Sequence, residues 1–309
     1  MWLVSQLLSL VCVIIWGVTF VSTRALLEEF SALEIMVGRF ALAYAALWLI
    51  APRRAKVKGW RDEIVFAGMG LLGAVVYQLL ENCAIYYTDA CNVSMLTAAG
   101  PILTALIVRA FGGERLNGWR FWAGALVSAL GVVLISTNGI IALKIRPIGD
   151  LMILVAMFSW SFYTLLVKKI NERGYDPVLV IRRAFFWTLA FLLPVAIWGT
   201  TESGWTFLDG SFSMNLDLAD NQARFADVAN VGNFAFLGVL ASALCFVGWN
   251  VACERLGAVR ATLFIYFIPV VTIATSFVFL DEAPTAVGLV GSLLVIGGVA
   301  VSNLKARAT

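Results

Sequence analysis

The chain contains no histidine. That absence removes Ser-His and Cys-His catalytic pairs, the HExxH zinc-protease motif and any histidine proton relay. Charge is scarce too: Asp, Glu, Lys and Arg make up 13% of the 309 residues, where an ordinary globular domain holds roughly a quarter. The five cysteines (Cys12, Cys83, Cys91, Cys245, Cys253) all fall in or beside apolar runs. Without histidine they have no metal-type spacing, and a disulfide framework does not fit them; they read as small apolar core residues. No GxxxxGK[ST] phosphate loop occurs, which removes the P-loop ATPases. No metal, no cofactor and no nucleic-acid partner is expected, and the net charge of +3 says less than where the charges sit.

What the chain has in excess is apolar surface. Hydrophobic residues reach 61% and the mean hydropathy is +0.91, spread over the whole length rather than confined to one anchor. This predicts an all-α polytopic membrane protein. The first stretch, MWLVSQLLSLVCVIIWG, has no basic residue ahead of it and stays apolar past Gly17, so it is expected to be a span rather than a cleaved signal.

Apolar segments of about 20 residues predict ten transmembrane helices, at 4–27, 33–51, 64–88, 91–111, 119–137, 150–169, 178–199, 231–254, 258–280 and 284–304. Every second connection is basic. The segment PRRAKVKGWR (52–61) holds five basic residues. Arg109, Arg115 and Arg120 surround the fourth connection, Lys168, Lys169 and Arg173 the sixth, Arg255 and Arg260 the eighth, and Lys305 and Arg307 close the chain. The alternate connections carry Glu28, Glu29 and Glu34, then Asp89, then Asp281 and Glu282, with Lys144 and Arg146 as the exception. The excess of basic residues on the cytoplasmic side puts both termini in the cytoplasm, in a bacterial inner membrane. The long polar segment 200–230, between spans 7 and 8, falls outside; residues 201–230 carry five acidic residues and one arginine.

The two halves of the chain match each other. At an offset of 144, Trp16 meets Trp160, Arg24 meets Lys168 and Arg39 meets Arg183. At an offset of 168, Asn82 meets Asn250, Pro101 meets Pro269, Thr104 meets Thr272, Phe111 meets Phe279 and Glu114 meets Glu282; the segment 201–230 accounts for the change of offset. The halves are therefore expected at 1–140 and 141–309, each with five spans. An odd number of spans inverts the second half relative to the first, the arrangement of secondary transporters whose site lies between repeats.

At this point the residues resemble a known family. WGVTFVSTR and SWSFYTLLVK open the two halves, AAGPILTALI (98–107) leads to GGERL (112–116), and FIPVVTIATSFVFLDEAP (267–284) is the second-half counterpart. Together they are similar to the EamA-type ten-span members of the drug/metabolite transporter superfamily. The resemblance implies export of amino acids or other small metabolites, with no ATPase domain, and a central cavity walled by spans 1, 3, 4, 6, 8 and 9.

Within the spans a few residues stand out. Gln78, Glu81 and Asn82 are spaced i, i+3, i+4 and share one helix face. Glu81 is expected about 7 Å from the midpoint of its span, toward the outside. A carboxylate in lipid costs roughly 2.5–3.5 kcal/mol, so it should meet protein or a cavity. Two readings stand: a structural partner for Arg24 or Arg39, or a group that binds a substrate ammonium or exchanges a proton. Its counterpart in the repeat is Trp249, so the symmetry does not require an acid there. Asn82 and Asn250 obey the repeat and read first as interhelical hydrogen-bonding residues, with substrate contact as the alternative. Trp16, Trp160, Tyr163, Trp249 and Tyr266 lie inside spans rather than in the interfacial belts. Singly they read as core; together they suit a cavity for an amphipathic solute, with cation–π attraction for ammonium groups. Pro101 and Pro269 are expected to kink spans 4 and 9 at equivalent points, as hinges or as packing bends.

The expected function is a secondary transporter, not an enzyme, that exports amino acids or related small metabolites by alternating access through an aromatic-lined cavity. The alternatives are efflux of amphipathic drugs or cations and, in another class, an intramembrane lipid-modifying enzyme. Expected partners are a small-molecule substrate and the lipid bilayer, in a monomer or weak homo-oligomer.

Overall fold

The computed structural model describes residues 2–54, 56–87, 96–112, 118–137, 147–199, 205–207, 212–214, 221–271, 274 and 285–303. Asp89, Cys91, Glu114, Lys144, Arg146, Thr272, Phe279, Asp281, Glu282, Lys305 and Arg307 lie outside the described residues, as does the side chain of Arg24.

Backbone amides have no water to bond in hydrocarbon, so apolar runs satisfy them internally as helices. The helices are α1 (Trp2–Leu26), α2 (Ala32–Ile50), α3 (Trp60–Gly70 continued by Leu71–Val76 and Tyr77–Tyr87), α4 (Gly100–Gly112), α5 (Trp119–Thr137), α6 (Pro147–Asn171) and α7 (Pro177–Gly199). They are followed by α8 (Val228–Ala235 continued by Phe236–Leu244 and Cys245–Leu256), α9 (Ala258–Val271) and α10 (Ala286–Asn303). Among the described residues, seven stretches, from α1, α2, α3, α5, α6, α7 and α8, are long and apolar enough to cross a membrane, and α4, α9 and α10 are shorter apolar helices. The fold is that of a polytopic membrane protein. The expected all-α class holds; outside the helices, Trp205–Phe207 and Phe212–Met214 pair antiparallel before α8. A short helix, Asn221–Ala226, also precedes α8.

Polar residues mark the helix ends. Ser31 and Glu34 form a reciprocal capping box at the start of α2, with Ser31 N–H donating to Glu34 Oε2 at 2.7 Å and Glu34 N–H to Ser31 Oγ at 3.2 Å. Asp176 caps α7 and Asp227 caps α8. Gly257 turns α8 into α9 at φ 88°, a conformation that favours glycine.

Two helices contain π-helical stretches, Leu71–Val76 in α3 and Phe236–Leu244 in α8. At the offset of 168 read from the sequence, Leu71 and Val76 fall on positions 239 and 244, inside the second stretch. Each wider turn offers a carbonyl to a neighbouring helix: Leu72 O accepts from Ser159 Oγ at 2.7 Å, and Ala241 O from Trp16 Nε1 at 2.9 Å. Close approach recurs at matching points as well. A Cβ on Gly70 would come within 2.5 Å of Ala184 O in α7, and one on Gly238 within 2.6 Å of Leu42 Cβ in α2.

Pro101 and Pro269 each follow a local break in the helix hydrogen bonding. Pro101 is the second residue of α4, behind a turn at 98–99 where Ala99 N–H bonds Leu96 O at 3.0 Å. Pro269 follows a 3-10 stretch, Leu263–Phe267, in which Ile265 O accepts from Ile268 N–H. In both cases the proline supplies no N–H to the carbonyl four residues back, and the preceding turn tightens to three-residue bonds.

α5 and α10 pack antiparallel through small residues. Gly124 lies against Gly298 and Ser302, and Gly131 against Gly291 and Val295. Ser302 Oγ donates to Phe121 O at 3.2 Å and Ser128 Oγ to Val295 O at 3.3 Å. Lipid tails match leucine in polarity, so such pairs are held by van der Waals contact and short polar bonds rather than by exclusion of water. Large apolar side chains such as Leu49, Trp119 and Leu293 point outward instead.

Candidate functional site

Three tryptophans from three helices meet inside the bundle. Trp16 of α1 and Trp160 of α6 stand edge to face with centroids 5.8 Å apart. Trp249 of α8 lies 5.1 Å from Trp16 and 6.3 Å from Trp160. Spacing of i, i+3 brings Tyr163 alongside Trp160, and Phe246 alongside Trp249. Tyr163 sits 5.0 Å from Trp160, and Phe246 sits 5.8 Å from Trp16. Tyr77, at the end of the π stretch in α3, closes the group 5.2 Å from Trp160. Gly73 makes room: a Cβ there would lie 2.3 Å from the Tyr163 ring. Ring pairs at such separations contribute about 0.5–1.5 kcal/mol each beyond burial.

The polar atoms of this cluster divide into two kinds. The Trp16 indole is used in binding Ala241 O. Trp160 Nε1, Trp249 Nε1 and the Tyr163 hydroxyl are buried without a hydrogen-bond partner among the described residues. Buried donors are nearly always satisfied, so three such atoms in one aromatic layer constitute an unusual concentration of unused hydrogen-bonding capacity.

Next to the rings lies a charged layer. Tyr77 Oη donates to Glu81 Oε1, one turn away, at 2.8 Å. Arg39 of α2 is buried; its Nε donates to Ser242 Oγ at 3.0 Å and its Nη1 to Gln78 Oε1 at 3.3 Å. Arg39 and Glu81 share no hydrogen bond or salt bridge among the described residues: Arg39 donates to Ser242 and Gln78, one turn from Glu81 on the same face of α3, and Glu81 accepts from Tyr77. The layer thus presents a cationic and an anionic group within one buried polar network, beside an aromatic wall.

The remaining candidates fall elsewhere. Asn82 is half-buried and makes no hydrogen bond among the described residues. Both amide atoms of Asn250 are buried and unpartnered, while its backbone oxygen accepts from Asn171 Nδ2 at 3.3 Å. The interhelical amide bonds expected of this pair are therefore not made among the described residues. Tyr266 packs in a second apolar cluster with Phe121, Leu165 and Val295, its hydroxyl unpartnered. Arg39, a repeat match of Arg183 and a candidate partner for Glu81, is joined in this layer by Tyr77 and Phe246, which were not among the sequence candidates. Their signals were the match of Arg39 to Arg183 and the i, i+4 spacing of Tyr77 to Glu81.

An apolar helical bundle with a buried aromatic and charged layer defines a membrane protein of the transporter type. The chain belongs to the EamA-like transporter family, whose model matches residues 3–137 and again residues 147–304. A transporter of Bacillus subtilis named YdfC is 27% identical over 94% of this chain and 88% of its own. A protein of Streptantibioticus cattleyicolor named as a probable terminal-alkyne amino-acid exporter is 28% identical over 95% of this chain and 91% of its own. One of Escherichia coli named as a probable amino-acid metabolite efflux pump is 24% identical, covering 97% and 95%. A crystal structure with 18% identity superposes with a TM-score of 0.72 over 96% of both chains, a likeness of fold.

Proposed function

We propose that the protein is a secondary transporter that exports amino acids or related small metabolites by alternating access. The observation that carries this reading is the charged layer beside the aromatic cluster. A zwitterion offers an ammonium to Glu81 and a carboxylate to Arg39, and its side chain meets Trp16, Trp160 and Trp249. The indole and phenol donors of Trp160, Trp249 and Tyr163 are then available to substrate oxygens. A lone organic cation would leave Arg39 as an unfavourable neighbour, so amino acids take precedence over amphipathic cations. The names of relatives, an amino-acid exporter and an amino-acid metabolite efflux pump, support the same class.

Ten spans in two inverted halves, 1–140 and 141–309, form the framework of this proposal. It is supported by the double match of the family model, by the coincident π stretches, by the antiparallel α5–α10 pair and by the contact between the repeat-related Trp16 and Trp160. Pro101 and Pro269 act as paired flexure points in the rocking motion. Both termini face the cytoplasm of a bacterial inner membrane.

Uptake and counterflow of radiolabelled amino acids in proteoliposomes test the proposal. Flux of at least one amino acid is expected, and its absence for every amino acid with folded protein overturns the reading. Glu81→Gln is expected to cut flux at least tenfold while the protein remains folded. Unchanged flux with lowered thermal stability would instead make Glu81 a structural partner of Tyr77.

A further inference from the structure

Beyond the central layer, a cleft of about 220 Å³ lies between the end of α2 and the first half of α7, lined by Tyr44, Trp48, Arg54, Arg182, Arg183 and Phe186. Its charges are not balanced. Arg183 is neutralised by Glu63, its Nη2 2.6 Å from Oε1. Arg182 is buried, lies with its guanidinium 4.0 Å from the centre of the Trp48 ring, and bonds the main-chain carbonyls of Ala51 and Arg53. Those carbonyls accept its hydrogen bonds, so the guanidinium caps the end of α2, but they carry no net charge to cancel it. Arg54 is exposed and has no acidic partner among the described residues. The cleft therefore holds two guanidinium groups that form no salt bridge among the described residues, framed by the aromatic side chains of Tyr44 and Trp48, while the Asp176 carboxylate at the start of α7 offsets part of the Arg182 charge.

The cleft sits on the outer surface of the bundle. Leu49 is 85% exposed and Ile50 52%, immediately before the basic segment 52–61. Phe186 faces outward from α7 at 38%. Phe186 lies one turn deeper along α7 than the arginines, and exposed Leu49 and Ile50 flank the Trp–Tyr pair at the end of α2; an apolar flank, an aromatic pair and guanidinium groups side by side are what a membrane interface presents to a lipid. A soluble anion would use the charges but not the apolar flank.

We propose that this cleft is a binding site for the phosphate headgroup of an anionic phospholipid, whose acyl chain runs along the outward apolar face of α2 and α7. Arg54 and Arg182 hold the phosphate, and Tyr44 and Trp48 pack on the glycerol region. The full-length protein in detergent, titrated with phosphatidylglycerol, phosphatidylcholine or inorganic phosphate and followed by native mass spectrometry, decides the matter. Phosphatidylglycerol is expected to bind at least fivefold more tightly than phosphatidylcholine. Arg54→Gln is expected to reduce phosphatidylglycerol affinity about fivefold, the effect of one interfacial basic residue. Arg182 also caps α2, so its variants risk misfolding; exposed Arg54 carries the test, with Arg54→Glu expected to weaken binding further. Equal binding of the two lipids, or unchanged affinity in Arg54→Gln, overturns the proposal. Displacement of phosphatidylglycerol by inorganic phosphate at equal concentration would assign the site to a soluble phosphate compound and overturn the lipid.

Discussion

Trp16 and Trp160 occupy matching places in the two halves, yet their indole nitrogens differ in use. Trp16 Nε1 holds Ala241 O in the π stretch of α8, whereas Trp160 Nε1 is buried without a partner among the described residues. Replacing each by Phe separates structure from function. Trp16→Phe removes a bond and strands the carbonyl, and should lower unfolding stability by about 1 kcal/mol. Trp160→Phe loses ring packing as Trp16→Phe does but no hydrogen bond to a described residue, and should be destabilised by about 1 kcal/mol less than Trp16→Phe while weakening substrate affinity. Thermal unfolding in detergent, paired with transport KM, checks both. The charged layer follows the same logic. Glu81 was legible from the sequence because a carboxylate in an apolar run demands a reason; that Tyr77 rather than an arginine is its hydrogen-bond partner was not, because it depends on how the π stretch rotates the last turns of α3.

Among the elements, α5 and α10 show how helices associate where burial in lipid supplies no driving force. Their contact depends on glycine. A Cβ at Gly131 would lie 2.6 Å from Gly291 O, and a backbone atom cannot step aside. Gly131→Ala should therefore destabilise by about 1–3 kcal/mol through overpacking. Gly232 in α8 has nothing within 4 Å of an added Cβ, so Gly232→Ala should be neutral or stabilising by up to about 1 kcal/mol. Urea or thermal unfolding of the two variants side by side tests whether close approach, rather than helix propensity, sets the requirement for glycine. The prolines mark the boundary of sequence reasoning at this scale. Pro101 and Pro269 were recognisable as equivalent breaks, but the turn and the 3-10 stretch that precede them follow from where neighbouring helices allow the chain to tighten.

Across the whole molecule, two sets of polar clasps tie opposite ends of the bundle. Where α3 begins, Asp62 pairs with Arg173 and accepts from Tyr175 Oη at 2.5 Å, while Glu63 accepts from Trp187 Nε1 at 2.6 Å. Where α1 turns into α2, Arg224 of the segment before α8 meets both carboxylate oxygens of Glu34 at 3.1 and 3.2 Å, bonds Glu29 O at 2.9 Å and covers the Phe30 ring. Asn230 reaches Glu29 Oε2 at 2.7 Å. The polar segment that has no counterpart in the first half is thus fastened to the first half. Arg224 and Glu34 are both largely buried, and removing one partner of such a pair costs about 3 kcal/mol. Arg224→Ala should raise amide exchange in the helix Asn221–Ala226 at least about tenfold while leaving α5 and α10 protected; unchanged exchange would show that the clasp does not hold the segment.

The sequence alone determined the class of this protein. Periodless apolar runs of spanning length, basic loops at every second connection and a self-match at offsets of 144 and 168 are properties of composition and order, which the bilayer reads directly through hydropathy and backbone hydrogen bonding. It also singled out the tryptophans and Glu81, since polar or bulky amphipathic groups are costly inside lipid unless they have a role. Tertiary structure alone decided which of these groups meet. Trp16, Trp160 and Trp249 converge while Tyr266 packs in a different cluster, and Arg39 joins Gln78 and Ser242, because helix rotation is set by π stretches and by glycine contacts that leave no trace in hydropathy. The basic cleft between α2 and α7 was invisible for the same reason: its charges lie about 130 residues apart in the chain, and only the packing of two helices brings them onto one edge.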